Sequence, residues 1–314
     1  MMVRRSLAAV LSAGALTLAA CAGDDLEASA GDDSGSETSG GGPVTIASQS
    51  FPEAALMASM YELLLADAGY EPTVQLVDSR DAYMATFPGD VDVVPEYVGG
   101  IVNFLNSTSD QGSGEQLTAG DGEELAEAGQ ELLDEAGIEL LELSEATDTN
   151  AYFVTVERAE EEGWEALSDL EGESVVLAAA PDCEGRLDCE AGLREEYGID
   201  ITKVLPLGYA GDQTYQSVID GESDLGQTST TDGTLESLGL VVLEDDQEIQ
   251  PAQNLVPAVA EDFLEQNEGV ADILNELMAA LDTETLTELN GRMAVDREKP
   301  EDVARDFLES EGLL

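Results

Sequence analysis

The sequence predicts an α/β fold, on three observations. Short apolar runs of strand character alternate with segments of helical apolar spacing from Val44 almost to the last residue. The first of those runs feeds directly into a helix start. The 314-residue chain is 43% hydrophobic, enough to bury a substantial core in two modest lobes.

The elements follow in order. Val44-Thr-Ile-Ala is the first strand, and Phe51 to Ala68 is a helix stopped at Gly69. Ser50-x-x-Glu53 has the pattern of a capping box, with Pro52 in the first turn, where its missing N–H costs nothing. Thr73 to Val77 and Val91 to Val94 are strands around a helical stretch at Ala82 to Phe87. Glu123 to Ala136 is helical, and Ile138 to Leu143, Tyr152 to Val156 and Val175 to Ala179 are strands. A helix near Leu193, a strand near Val204 and a helix from about Gln213 lead to strands at Leu240 to Leu243 and Leu255 to Ala260. Three helices close the chain, at Val270 to Leu281, Thr283 to Leu289 and Glu301 to Glu311, with Pro300 opening the last. Such alternation predicts mainly parallel sheets. There is no internal repeat, and composition marks no border after Pro43.

Charge excludes whole classes of function. Asp and Glu number 69 against 11 Lys and Arg, a net charge of -58, and Lys203 and Lys299 are the two lysines. A nucleic-acid partner is excluded, because displacing counterions from a phosphate backbone needs clustered cations. The chain has no histidine, which removes His-based triads, imidazole metal sites and the usual neutral-pH proton shuttle. The acidity itself reads as a solvated surface suited to high salt. Calcium binding competes with that reading, but no loop has EF-hand spacing. Carboxylate pairs occur everywhere by composition alone and single out no hydrolase site.

Arg4 and Arg5 precede an apolar run from Leu7 to Ala20 that is short for a bilayer span and has the shape of an export signal. Leu18-Ala-Ala-Cys21 looks like a lipobox, which makes Cys21 the acylated first residue of the mature chain; an ordinary signal peptide is the alternative. Residues 1–20 are thus a leader and 21–43 a Gly/Ser-rich acidic tether. In an exported chain, Cys183 and Cys189, six apart, are expected to form a disulfide.

Fifteen residues are aromatic, eight of them tyrosine. Tyr97 follows a strand, Tyr152 opens one and Tyr215 sits in a helix's first turn, places where α/β sheets face a ligand crevice. Taken singly, each also fits half-buried packing with a bonded hydroxyl, as Tyr61 and Tyr70 do.

Several segments, in this order, resemble those of substrate-binding proteins of osmoprotectant ABC importers, the glycine betaine/choline/carnitine type. They are Val44-Thr-Ile-Ala-Ser-Gln-Ser-Phe-Pro-Glu, Gly89-Asp-Val-Asp-Val-Val-Pro-Glu-Tyr-Val-Gly-Gly, Thr230-Thr-Asp, Leu243-Glu-Asp-Asp-Gln, Leu289-Asn and Pro300-Glu-Asp-Val-Ala-Arg-Asp-Phe-Leu with Glu311-Gly-Leu. The resemblance runs from Val44 to Leu314. It implies a two-lobed periplasmic-binding-protein-like fold of type II with two hinge crossings, lobe one being 44–148 plus 232–314 and lobe two 149–231.

It further implies a quaternary ammonium headgroup held in an aromatic box of Tyr97, Tyr152 and Tyr215, since a trimethylammonium group offers no N–H and must be recognised by ring quadrupoles. Gln49 and Arg186 are the expected partners of the ligand's other end, with amides near Ser50, and Asn150 is a polar contact beside Tyr152. A surface ion pair is the competing role for Arg186, and Arg80 is a second arginine near the same mouth. Ser229 stands where some relatives have another tyrosine and Gly100 where threonine is frequent, leaving the box open on one side. Choline, carnitine and larger betaines are therefore expected beside glycine betaine.

The resemblance implies a non-catalytic receptor on the extracytoplasmic face, lipid-anchored and without cofactor or metal. Its partners are a small quaternary ammonium ligand and ABC permease subunits. A receptor for another amine or amino-acid-like solute, or a carboxylate-based surface hydrolase, are the alternatives.

Overall fold

A computed structural model of the chain describes residues 41–109, 112–113, 116–117 and 121–314. The leader, Cys21 and nearly all of the tether expected from the sequence lie outside the described residues.

The chain first builds β1 (Pro43–Gln49), α1 (Pro52–Asp67), β2 (Glu71–Val77), α2 (Arg80–Met84), β3 (Val93–Tyr97), α3 (Val98–Thr108), α4 (Gly122–Ala136) and β4 (Ile138–Leu140). It then crosses to β5 (Asn150–Thr155), α5 (Val156–Glu162), β6 (Ser174–Ala179), α6 (Glu190–Glu195), β7 (Asp200–Pro206), α7 (Asp212–Ile219), β8 (Leu225–Ser229), α8 (Leu235–Leu238) and β9 (Leu240–Leu243). It returns as β10 (Leu255–Ala260), α9 (Glu261–Leu264), α10 (Gly269–Ala279), α11 (Thr283–Ala294) and α12 (Pro300–Glu311). Two five-stranded sheets result, ordered β2-β1-β3-β10-β4 and β7-β6-β8-β5-β9.

Both sheets are mixed, where the alternation of elements predicts mainly parallel ones. β2-β1-β3 and β7-β6-β8 are parallel, but β10 runs antiparallel to β3 and β4, and β5 antiparallel to β8 and β9. Those strands arrive from the other sheet rather than through a local crossover helix, so no right-handed βαβ unit fixes their direction.

A second difference concerns the return crossing, which the resemblance places at 231/232. Strand β9 pairs with β5 from Tyr152↔Leu243 to Thr155↔Leu240, so the chain stays with the second sheet through Leu243 and returns before Leu255. The two crossing segments touch through a bridge between Thr147 and Asn254.

Each sheet is covered on both faces. On β1, Ile46 faces a core with Leu56, Tyr61, Leu274 and Phe307, whereas its neighbour Ala47 faces Ile101, Val102, Leu125 and Leu133. That alternation is the period of two expected of a strand buried on both sides. In the second sheet Tyr152 and Val154 join Trp164, Leu177 and Leu193, while Phe153 on the opposite face joins Tyr215, Val218 and Leu240. Helix α3 is not evident from the sequence: it carries Gly99-Gly100 in its first turn, two poor helix formers that its burial against α4 outweighs.

Candidate functional site

Residues at the carboxyl ends of the parallel strands of both sheets, the usual ligand position in open α/β sheets, meet around the crossing residue Asp148. β1 ends at Gln49, β3 at Tyr97 and β8 at Ser229, and the loop after β7 carries Tyr209. The first turn of α1 and helix α11 join the same cluster.

Glu53 is its centre. It is 5% exposed, and both of its oxygens are engaged: the Tyr97 hydroxyl donates to Oε1, and Asn290 Nδ2 on α11 donates to Oε2 at 2.5 Å. The capping box expected at Ser50 and Glu53 is not formed. Phe51 is the N-cap residue, without a side-chain cap, because Glu53 turns inward to Tyr97 instead of back to the backbone. Burial raises the Glu53 carboxyl above its ordinary range, against the donors from Tyr97, Asn290 and Thr231 that favour its charge. Tyr97 is raised well above the usual phenol value, first by burial and then by the adjacent Glu53 and Asp148 charges.

Asn290 also donates to the Thr231 carbonyl at 3.0 Å, and Thr287 Oγ1, one turn earlier, donates to the Thr230 carbonyl at 3.3 Å. Helix α11 thus grips the segment after β8. Gly233 lies so close to α11 that a Cβ there would stand 2.2 Å from the Gly291 nitrogen. In this way Asn290 ties Glu53 in the first lobe to backbone that leaves the second sheet.

Asp148 lies between these parts. Its carboxyl is pushed up to about 7, first by burial and then by the Glu53 charge, with Thr231 and Ser229 hydroxyls pulling the other way and Asp232 adding repulsion. Its Oδ1 is buried without a hydrogen-bond partner. Asp232 is well provided by contrast: Tyr215 donates to it at 2.5 Å, Thr234 Oγ1 at 2.6 Å and the Thr234 amide at 3.0 Å, and Thr228 donates as well.

The structure does not bring the three expected tyrosines together. Tyr152 and Tyr215 lie on opposite faces of the second sheet. The ring of Tyr215 packs on Phe153 at 5.5 Å between centroids, and adjacent strand residues point to opposite sides. Tyr152 is 1% exposed among the disulfide cluster, with its hydroxyl on the Asp188 carbonyl at 2.9 Å. Tyr215 is 7% exposed and spends its hydroxyl on Asp232, where burial and that carboxylate push it up to about 12.

Asn150 sits with Tyr152, donating to Asp188 at 3.1 Å and to Gln250 at 3.0 Å. Arg186 is committed to Asp188 through two nitrogens and to Asp182 through a third, which is the ion-pair role rather than a free grip for a ligand carboxylate. Cys183 and Cys189 are bonded to each other and anchor this cluster. Gln49 is half-buried at the end of β1.

The gap expected at Gly100 is filled. A Cβ there would lie 2.3 Å from Nη2 of Arg80, whose guanidinium occupies that space and binds Glu96 with two nitrogens, at 2.7 and 3.0 Å. Glu96 in turn accepts from the Tyr97 amide at 3.0 Å, so the pair stiffens the base of Tyr97. On the other side, Tyr209 stands near Ser229. Its hydroxyl is raised above the usual phenol value by burial, then by Asp148, with the Ser229 hydroxyl opposing, although the residue as a whole is 44% exposed.

Tyr209, Glu53, Asp148 and Asn290 were not among the residues expected at the site. Tyr209 had one usable signal, its place in Gly208-Tyr-Ala-Gly211 just ahead of a helix start, where Ala210 adopts φ +46°. Among the described residues no group of three or more Cys, Asp or Glu is arranged to hold a metal ion, and no helix is long and apolar enough to cross a membrane.

Comparison with known proteins fits this geometry. The family model for the substrate-binding domain of ABC-type glycine betaine transport systems, OpuAC, matches residues 42–310. The chain belongs to the OpuAC family. Among OpuAC relatives, it is 28% identical to the glycine-betaine-binding protein of Pseudomonas aeruginosa, over 86% of this chain and 88% of that one. It is also 28% identical to the glycine betaine-binding protein YehZ of Escherichia coli, over 86% of this chain and 91% of that one. The solved structure of apo YehZ superposes with a TM-score of 0.71 at 25% identity, covering 87% of this chain and 99% of the other. A glycine betaine/carnitine/choline ABC transporter structure superposes at 0.75 and 22% identity, covering 86% and 98%, which shows the two-lobed fold.

Proposed function

We propose that this OpuAC-family chain is the extracytoplasmic receptor of an ABC importer and that it closes over a quaternary ammonium solute: glycine betaine, choline, carnitine or a similar compound. One observation carries the reading. Where the two lobes meet, phenol rings and carboxyls withdrawn from water come together, Tyr97 and Tyr209 with Glu53 and Asp148, while Arg80 and Arg186 are both committed to carboxylates elsewhere. Such a lining suits a permanently methylated cation, which is attracted by ring faces and negative charge and donates no N–H bond.

In this reading Tyr97 and Tyr209 supply ring faces. Ser229, Thr231 and Gln49 are the polar contacts for the ligand's other end, and Tyr215 is a strut that holds Asp232. Contact with both lobes favours the closed state, which is how a receptor signals occupancy to a permease. Cys21 is the proposed lipid anchor.

Calorimetry with glycine betaine, choline, carnitine and proline betaine tests the proposal. Submillimolar binding of at least one is expected, and Tyr97→Ala is expected to weaken it by about 1–2 kcal/mol, the worth of one desolvated ring–cation contact. An absence of heat with all four solutes, at low and high salt, overturns it.

A further inference from the structure

The crevice contains an electrostatic problem that the protein alone does not solve. The Glu53 charge raises Asp148; Glu53 is buried, and Asp148, half-buried as a residue, has one oxygen wholly withdrawn from water. From α1 the group facing Asp148 is Glu53; from β3 it is Tyr97; from the loop after β7 it is Tyr209; from the segment after β8 come Ser229, Thr231 and Asp232. From α11 comes Asn290, whose amide hydrogens go to Glu53 and to Thr231 and whose Oδ1 is buried without a partner. Every one of these is a hydroxyl, an amide or another acid. Behind Tyr97, Glu96 is balanced by Arg80, so that arginine adds no net positive charge.

Ionising both carboxyls in such surroundings is costly, and below about pH 7 a proton compensates Asp148 unless an external cation does so. The donors are also unevenly shared. Glu53 has a donor on each oxygen, which favours its anion, whereas Asp148 has a buried oxygen with none.

We propose that Glu53 and Asp148 together hold one proton in the cation-free crevice and that a permanently charged nitrogen displaces it, so that the receptor exchanges a proton for its cationic solute. This deepens, and rests on, the reading of the crevice as a quaternary ammonium site. The exchange balances: a protonated carboxyl pair and a cation outside become an ionised pair around the cation and a proton in solvent. Asp148 is the group that gives up the proton, and a quaternary nitrogen, unlike a primary amine, cannot return it. With the carboxyl titrating at about 7, the apparent affinity is expected to be about tenfold weaker at pH 6 than at pH 8.

The test is calorimetry of the full mature chain with choline, glycine betaine and tetramethylammonium, at pH 6 and pH 8.5, each in two buffers of different ionisation enthalpy. At pH 6 the heats in the two buffers are expected to differ by the equivalent of nearly one proton released, and at pH 8.5 to coincide. Asp148→Asn is expected to abolish the difference at pH 6 and to flatten the pH dependence of affinity. Binding with identical heats in both buffers at pH 6 overturns the exchange and leaves the receptor intact; no binding of any of the three at either pH takes the receptor reading down with it. The wild-type comparison involves no variant, so the outcome stands even if Asp148→Asn fails to fold.

Discussion

Replacing Asn290 by alanine removes one side chain and two bonds, one to Glu53 within the first lobe and one to the backbone that leaves the second sheet. Its Nδ2 reaches Glu53 Oε2 at 2.5 Å and the Thr231 carbonyl at 3.0 Å. A hydrogen bond to a buried charged group is worth about 1.5–3 kcal/mol and one to a neutral carbonyl about 1 kcal/mol. Glu53 is 5% exposed, so water replaces the lost donor poorly, and a loss of about 3–4 kcal/mol of folding stability at pH 8 is expected. Asn290 is one of the groups that favours the Glu53 anion, so without it the carboxyl holds its proton more strongly. The loss is therefore expected to shrink at pH 5, where the folded protein can keep Glu53 protonated. Urea melts of the wild-type and Asn290→Ala chains at the two pH values measure this directly. A loss below about 0.5 kcal/mol at pH 8, the range of an ordinary surface substitution, or an equal loss at both pH values, refutes the account of Asn290 as a charge-bearing bridge.

Three further outcomes follow from the same geometry. Gly100→Thr puts a side chain where the Arg80 guanidinium lies and forces it off Glu96, which is 1% exposed; a loss of about 3–5 kcal/mol in urea melts is expected, and a neutral effect would mean that Arg80 is not held there. Tyr152→Phe removes only the bond to the Asp188 carbonyl, so calorimetry is expected to give unchanged solute affinity with a stability loss of about 1 kcal/mol, whereas a tenfold weaker affinity would restore Tyr152 to the binding surface. Glu53 and Asp148 both have folded-state values raised above their unfolded ones, so folding favours their protonated forms. The stability they contribute is fullest below about pH 4 and is lost as the pH rises, through about 7 for Asp148. In high salt, which screens the general repulsion, unfolding free energy of the ligand-free chain is expected to fall by a few kcal/mol across that window, and Asp148→Asn to flatten the fall. A curve that rises across the window in both chains contradicts the raised values.

The periodicity of the sequence carried the elements, because strands buried on two faces and helices with one apolar stripe leave patterns that single residues do not disturb. Where it failed, tertiary context had overruled local preference. Helix α3 carries two glycines in its first turn, whose intrinsic cost is offset by packing against α4. The antiparallel β5 and β10 look locally like any buried strand, and their direction is fixed only by where the chain comes from. Strand β9 shows the same limit: four residues, Leu240-Val-Val-Leu243, say strand but not which sheet they join.

The site was less legible for a related reason: a side chain's role is decided by which face its strand presents, and a one-residue step reverses that face. Tyr152 looked like a wall of the crevice, but it is Phe153 that shares a face with Tyr215. Glu53 was hidden by a more local explanation, since an acid three residues after a serine at a helix start fits a capping box, and only the long-range partners Tyr97 and Asn290, 44 and 237 residues away, show its other use. Asp148 was hidden by composition. Among 69 acids none stands out in the sequence, and what distinguishes this one is a deficit that only three dimensions reveal, an oxygen buried without a donor beside a second buried carboxyl. A surplus of surface charge and the charge proposed to meet the solute are thus the same residue type here, and burial without compensation is what separates them.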